Sequence, residues 1–178
     1  IPPGGQVDCG EYVVKAFEAV HTVPGSSYVL EEKLRPGRFS VERAEALGIP
    51  SGPLYSRLQE GETVRVGDRT IRPEEVLGPP RRGRKIVYTG DTMPHDALVE
   101  IARGADVLIH DATSDAALED KANRYGHSSS RQAAQVAKEA GVGLLVLTHL
   151  SPRYEDPATI LEDAKKVYDR YRDQLIKT

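Results

Sequence analysis

Between Ile86 and Thr148, short β-branched runs alternate with helical patterns. The sequence predicts a strand from Ile86 to Thr89, a helix near Asp96 to Ala102 and a strand from Asp106 to Ile109. A helix near Ser130 to Ala140 and a strand from Gly143 to Thr148 follow. This alternation constrains the fold more than any other feature, because strands joined through helices lie parallel in one layer with the helices stacked on it. Such a layer offers its functional groups at the carboxyl ends of its strands. The run Arg84-Lys85-Ile86-Val87-Tyr88-Thr89-Gly90-Asp91-Thr92 ends there on an acid beside a glycine, the place of a metal ligand or nucleophile. Ile109-His110-Asp111-Ala112-Thr113 and Leu147-Thr148-His149-Leu150 close the next two strands, and Gly126-His127-Ser128-Ser129 leads into a helix. Polar groups gathered at one sheet edge predict a site.

Ahead of this region, two β-rich runs, Glu11 to Val20 and Ser26 to Glu31, flank a Pro-Gly turn at His21-Thr22-Val23-Pro24-Gly25, which sets His21 at a strand end. From about Leu34 to Arg84 Pro and Gly recur. One helical pattern appears there, from Ser40 as N-cap to Gly48 as C′ residue, with a small hairpin centred on Gly67-Asp68. The low apolar content makes this stretch an excursion from the core. At the far end Asp156 is the expected N-cap and Pro157 the first residue of a helix. Ile160, Leu161, Ala164, Val167, Tyr168 and Tyr171 share its apolar face.

With 178 residues, 39% of them hydrophobic, the chain has material for one domain with a real core. A formal charge of −3 excludes a generally basic nucleic-acid coat and leaves local patches such as Arg81-Arg82-Gly83-Arg84-Lys85. The single Cys9 allows no internal disulfide, and no apolar run approaches the roughly 20 residues of a membrane span. A reducing, cytoplasmic setting is the expectation. Met93 is the only methionine, which suggests a processed product or a piece of a longer chain.

Imidazole and carboxylate together suit zinc, and a carboxylate can bridge two ions. His21, Asp91 and His149 are the candidates, since all three fall at expected strand ends. Taken singly, each has a plainer explanation. A strand-end His is more often a satisfied polar residue than a ligand, and Asp91 after Gly90 also suits a turn or an N-cap. The serines after His127 can cap the next helix, and the free N–H groups at that terminus can also seat a phosphate. His110 and Asp111, being consecutive, point to opposite faces, so one of them enters the site. His95, at a surface helix start, is assigned no role.

These motifs carry a family resemblance over nearly the whole chain. Val20-His21-Thr22-Val23-Pro24-Gly25 with Tyr28 and Glu31, Gly48-Ile49-Pro50-Ser51-Gly52-Pro53, and Gly90-Asp91-Thr92 are matched first. His110-Asp111-Ala112-Thr113, Gly126-His127-Ser128-Ser129 and Thr148-His149-Leu150-Ser151-Pro152-Arg153-Tyr154 follow. In this order they resemble the ribonuclease Z family, tRNA 3′-processing endonucleases of the metallo-β-lactamase superfamily. The resemblance implies an α/β fold forming part of an αββα sandwich, with an arm over about residues 37–83 that grips tRNA. It implies that Asp91 bridges two zinc ions, with His21 a ligand of one and His149 of the other. It further implies that His127 is the proton donor at the scissile phosphate, assisted by Asp111. Gly48, Pro50, Gly52, Pro53, Ser128 and Arg153 would contact substrate. Precursor tRNA as substrate and a homodimer are the implied partners.

The family's His-x-His-x-Asp-His motif is absent from these residues. The expectation is therefore a C-terminal half, carrying part of two metal sites and impaired without its N-terminal partner. It leaves one sheet face of the sandwich open. A non-catalytic tRNA-binding or dimerisation fragment, and another phosphodiesterase of the same fold, are the competing readings.

Overall fold

A computed structural model describes residues 1–168, so Tyr171 lies outside the described residues. In chain order the elements are β1 (Gln6–Asp8), β2 (Tyr12–Ala19), β3 (Gly25–Glu32), α1 (Val41–Ala46), α2 (Pro53–Gln59), β4 (Val64–Val66), β5 (Arg69–Ile71), α3 (Pro73–Val76), β6 (Lys85–Tyr88), α4 (Asp96–Ala102), β7 (Val107–Asp111), a 3-10 turn (Ala116–Leu118), α5 (Glu119–Arg124), α6 (Ser130–Ala140), β8 (Leu144–Thr148) and α7 (Ala158–Val167). They divide into two compact units, residues 32–83 and the remainder.

The larger unit is built on a six-stranded sheet of order β1-β2-β3-β6-β7-β8. The expected parallel layer is present: β6 pairs in parallel with β7, and β7 with β8. It is extended on one side by β3, which runs antiparallel to β6, so the sheet is mixed. Helix α6 packs against α4, α7, β7 and β8. Its start is secured by a reciprocal capping box between Ser129 and Gln132, and Gly141 ends it at φ 64°, a left-handed turn that glycine adopts without a Cβ penalty. The core lies between sheet and helices, where Val29, Val87, Leu108, Leu98, Ala134 and Ala137 are fully buried. For α7, Asp156 Oδ1 accepts the Ala158 N–H at 2.9 Å and Pro157 takes the N-cap place, one residue later than the sequence pattern indicates.

Among the described residues of the larger unit, the helices that pack on the sheet lie on the face of Val29, Val87 and Leu108. Because side chains alternate along a strand, the pairing registers line up Leu30, Ile86, Val107 and Leu144 in one row and Tyr28, Tyr88, Ile109 and Val146 in the next, both facing away from the helices. All eight are half-buried or exposed, and none belongs to the helix-side core. Among the described residues this sheet face is uncovered, as the sequence led us to expect.

Residues 34–84, read as an excursion from the main core, fall almost wholly in the smaller unit, which has apolar packing that the low apolar content did not indicate. Ala44, Ile49, Leu58, Val64, Ile71 and Val76 are between 0% and 3% exposed and form a core of their own. Besides α1, capped by Ser40 as expected, the unit holds α2 and α3, which Pro53 and Pro73 open at first-turn positions. The β4–β5 hairpin turns at Gly67, φ 58°, as the Gly-Asp pair indicated.

Candidate metal centre

The carboxyl ends of β6, β7 and β8 deliver Asp91, Asp111 and His149 to one place, and the loop before α6 adds His127. One ligand atom from each of these four lies within 4.8 Å of the others. Gly126 makes the approach of the His127 loop feasible: a Cβ there would fall 2.7 Å from the Thr22 nitrogen and 3.1 Å from the His21 Cα.

Asp111 is the buried hub. Its Oδ1 accepts the Thr113 N–H at 3.0 Å and the Thr113 hydroxyl at 2.7 Å, and its Oδ2 accepts the Thr92 N–H at 3.1 Å. His127 Nδ1 lies 2.9 Å from Oδ2, so it carries a proton and donates it to the carboxylate. That leaves His127 Nε2 free. His149, at φ 57° the one non-glycine residue with positive φ among the described residues, stacks on His127 with ring centroids 4.8 Å apart. Its Nδ1 meets the Thr113 hydroxyl at 2.8 Å, and its Nε2 lies 3.5 Å from Asp91 Oδ2. Asp91 itself is exposed.

His21 stands apart from the other expected ligands. Its ring packs edge-on against His127, centroids 4.8 Å apart, but it does not join the group of four. Val23 N–H donates to its Nδ1 at 3.2 Å, which puts the ring proton on Nε2, and Nε2 is enclosed without a hydrogen-bond partner. Ligation through Nε2 requires this proton to leave and the Val23 bond to be given up.

Of the two options for the serines after His127, helix capping and a phosphate seat, the hydrogen bonds display the first. The Ser129 N–H donates to Gln132 Oε1, Ser130 N–H to the Ser114 carbonyl, Gln132 N–H to Ser129 Oγ and His127 N–H to the Ala122 carbonyl. These donors are committed internally. Ser128, expected to meet substrate, is fully buried, and its hydroxyl donates to the Thr92 carbonyl at 2.6 Å. Arg153 is exposed, with Nε donating to Ser151 Oγ at 3.1 Å. Gly48, Pro50, Gly52 and Pro53 lie in the smaller unit, at the end of α1 and the start of α2.

Of the consecutive pair, Asp111 enters the site and His110 does not. His110 is wholly buried, donates Nδ1–H to the Asp111 carbonyl at 2.8 Å, and burial pushes its pKa down to about 4. His95 is not the plain surface residue expected: it is half-buried at the α4 N-cap, its Nε2 is enclosed without a partner, and burial lowers its pKa. Thr92 and Thr113 were missed. A threonine two residues after an aspartate is a recognised local turn signal, which applies to Thr113; nothing local marks Thr92.

A divalent ion suits these residues. Imidazole nitrogens and carboxylate oxygens are its donors, the free Nε2 atoms of His127 and His149 and the exposed Asp91 face one another, and hydrogen bonds to a buried carboxylate and a hydroxyl hold the rings.

Residues 59–150, just over half of the chain, match the family model described as a beta-lactamase superfamily domain. The chain is 49% identical over 170 residues to a protein named ribonuclease Z from Methanosarcina acetivorans, covering 95% of this chain and 56% of that relative. It is 50% identical over 165 residues to the ribonuclease Z of Methanothermobacter thermautotrophicus, covering 93% and 53%. The chain thus spans about half the length of the curated relatives it matches. Among solved structures, the short form of human tRNase Z aligns at TM-score 0.52 and 30% identity, covering 84% of this chain and 40% of that one. The metallo-β-lactamase fold protein YhfI of Bacillus subtilis aligns at TM-score 0.61 and 19% identity, covering 95% and 48%, a likeness of fold alone. The chain belongs to the beta-lactamase superfamily and, within it, resembles the ribonucleases Z along nearly its whole length.

Proposed function

We propose that this chain is the C-terminal part of a zinc-dependent endoribonuclease that cuts the 3′ trailer from precursor tRNA, leaving a 3′-hydroxyl on the tRNA and a 5′-phosphate on the trailer. The convergence of Asp91, Asp111, His127 and His149 within 4.8 Å carries the reading, and the similarity to ribonucleases Z gives it a substrate. Asp91 and His149 Nε2 would hold zinc, joined by His21 once its Nε2 is deprotonated. Bound zinc supplies Lewis-acid stabilisation of the phosphodiester and hydroxide near neutral pH. In its imidazolium form His127 would deliver the Nε2 proton to the departing 3′ oxygen and become neutral, while Nδ1–H continues to donate to Asp111, which keeps the ring in place as its charge changes.

The unit 32–83 is the arm that holds the tRNA body, with Gly48 to Pro53 and Arg153 as substrate contacts. It carries ten Lys and Arg against eight Asp and Glu, a net of +2 in a chain of −3, as an RNA-facing module requires. A homodimer follows from the resemblance, and a cytoplasmic location from the single cysteine; no described helix is long and apolar enough to cross a membrane.

The test is cleavage of precursor tRNA after the polypeptide is combined with a His-x-His-x-Asp-His half taken from a relative. Zinc-dependent release of the trailer is expected, and His127→Ala should slow it about 10²- to 10⁴-fold. Undiminished cleavage by that variant overturns the proton-donor role. For the polypeptide alone, calorimetry should find no pair of tightly held zinc ions. Two such ions together with cleavage would refute the half-site reading.

A further inference from the structure

We propose that Thr113 is a positioning residue that sets the tautomer of His149, so that one buried carboxylate, Asp111, orients both imidazoles of the site with Nε2 outward. The inference rests on the reading of this cluster as a metal-dependent centre, but it concerns the protein's own protons and is tested without metal.

A hydroxyl has one proton to donate and lone pairs to accept with, and a carboxylate only accepts. Thr113 Oγ1 lies 2.7 Å from Asp111 Oδ1 and 2.8 Å from His149 Nδ1. Its proton must serve Asp111, because the carboxylate has none to offer in return. Towards His149 it can then only accept, so His149 Nδ1 bears the ring proton and Nε2 keeps its lone pair. Nε2 is the atom that lies 3.5 Å from Asp91 Oδ2. On the other oxygen of the same carboxylate, His127 Nδ1 donates at 2.9 Å. The two stacked rings are therefore anchored alike, one directly and one through the threonine hydroxyl.

His21 makes the contrast. Its Nδ1 accepts from a backbone N–H rather than donating, and its tautomer is the opposite one. A threonine at position 113 has two further attachments that fix the hydroxyl: its N–H donates to Asp111 Oδ1 at 3.0 Å and its carbonyl accepts the Ser151 N–H at 3.1 Å. The second ties the loop after β7 to the segment following His149. A valine of the same shape would keep both backbone bonds and lose only the relay.

The experiment is nitrogen-15 NMR of the histidine rings in the metal-free polypeptide at about pH 8, above the ordinary imidazole range near 6.5. Correlations from ring carbons distinguish a protonated Nδ1 from a protonated Nε2. In the unsubstituted protein His127 and His149 should both be protonated on Nδ1, and His21 on Nε2. Thr113→Val should move the His149 proton to Nε2 while His127 stays on Nδ1, which also reports that the site remains folded. Thr113→Ser should restore the original His149 pattern. His149 protonated on Nε2 in the unsubstituted protein or in Thr113→Ser overturns the proposal, and so does a Thr113→Val protein whose His149 is unchanged. If the valine variant does not fold, the spectra of the unsubstituted protein and of Thr113→Ser decide. Failure of tRNA cleavage with these tautomers intact would count against the proposed function alone.

Discussion

Asp111 carries more of the site than any other side chain, since Thr92, Thr113 and His127 all donate to it and it is fully buried. An amide in its place cannot accept on both sides. Asp111→Asn should therefore cost about 1–3 kcal/mol, the penalty of buried donors left unsatisfied, measured by urea unfolding. A smaller loss would mean that water replaces the carboxylate. His110 makes a separate prediction. Burial lowers its pKa from 6.5 to about 4, so the folded state binds the proton more weakly than the unfolded chain does. Stability from this group is fully present above the unfolded value and is lost as pH falls from about 6.5 towards about 4, in total about 3 kcal/mol. Urea unfolding of the native protein and of His110→Asn across this window checks it: the variant should show the flatter profile.

At the scale of elements, the strand–helix alternation after Ile86 was legible because each piece carries its own punctuation. Ser129 and Gly141 bracket α6, and the Ala-rich face of that helix is buried as its period requires. Ser129→Ala should remove about 1 kcal/mol of stability through the lost cap, readable as a lower thermal midpoint. The core of the smaller unit was not legible, since its apolar residues are scattered over five short elements and no single run reveals it. Leu58, wholly buried there, tests that core. Leu58→Ala should destabilise this unit by about 2–5 kcal/mol, with loss of hydrogen-exchange protection across α1 to α3. The ring signals of His127 and His149, which lie in the other unit, should stay in place.

For the whole molecule, the decisive fact is a sheet covered on one side among the described residues. Two rows of apolar side chains, with Tyr88 at 43% exposure, face away from the helices, and contiguous apolar surface of this kind drives association. The isolated polypeptide should bind a hydrophobic dye and show concentration-dependent light scattering. Tyr88→Lys should reduce both while changing stability by less than about 0.5 kcal/mol, as for an exposed position. Unchanged scattering would place the sticky surface elsewhere.

The sequence by itself determined the order and type of the main elements, the strand ends at Asp91, Asp111 and His149, and the family to which they point. Local periodicity, caps and short motifs carry that information over a few residues at a time. Only the tertiary structure decided which ring nitrogens are free, that the Ser129 and Ser130 N–H groups and the Ser128 hydroxyl make internal bonds, and that residues 32–83 own a core. It also set His21 apart from the cluster of four. Each of these depends on partners far apart in the chain, as Thr92 and Asp111 or Thr113 and His149 are, and a hydrogen bond between such residues leaves no periodic mark in the sequence.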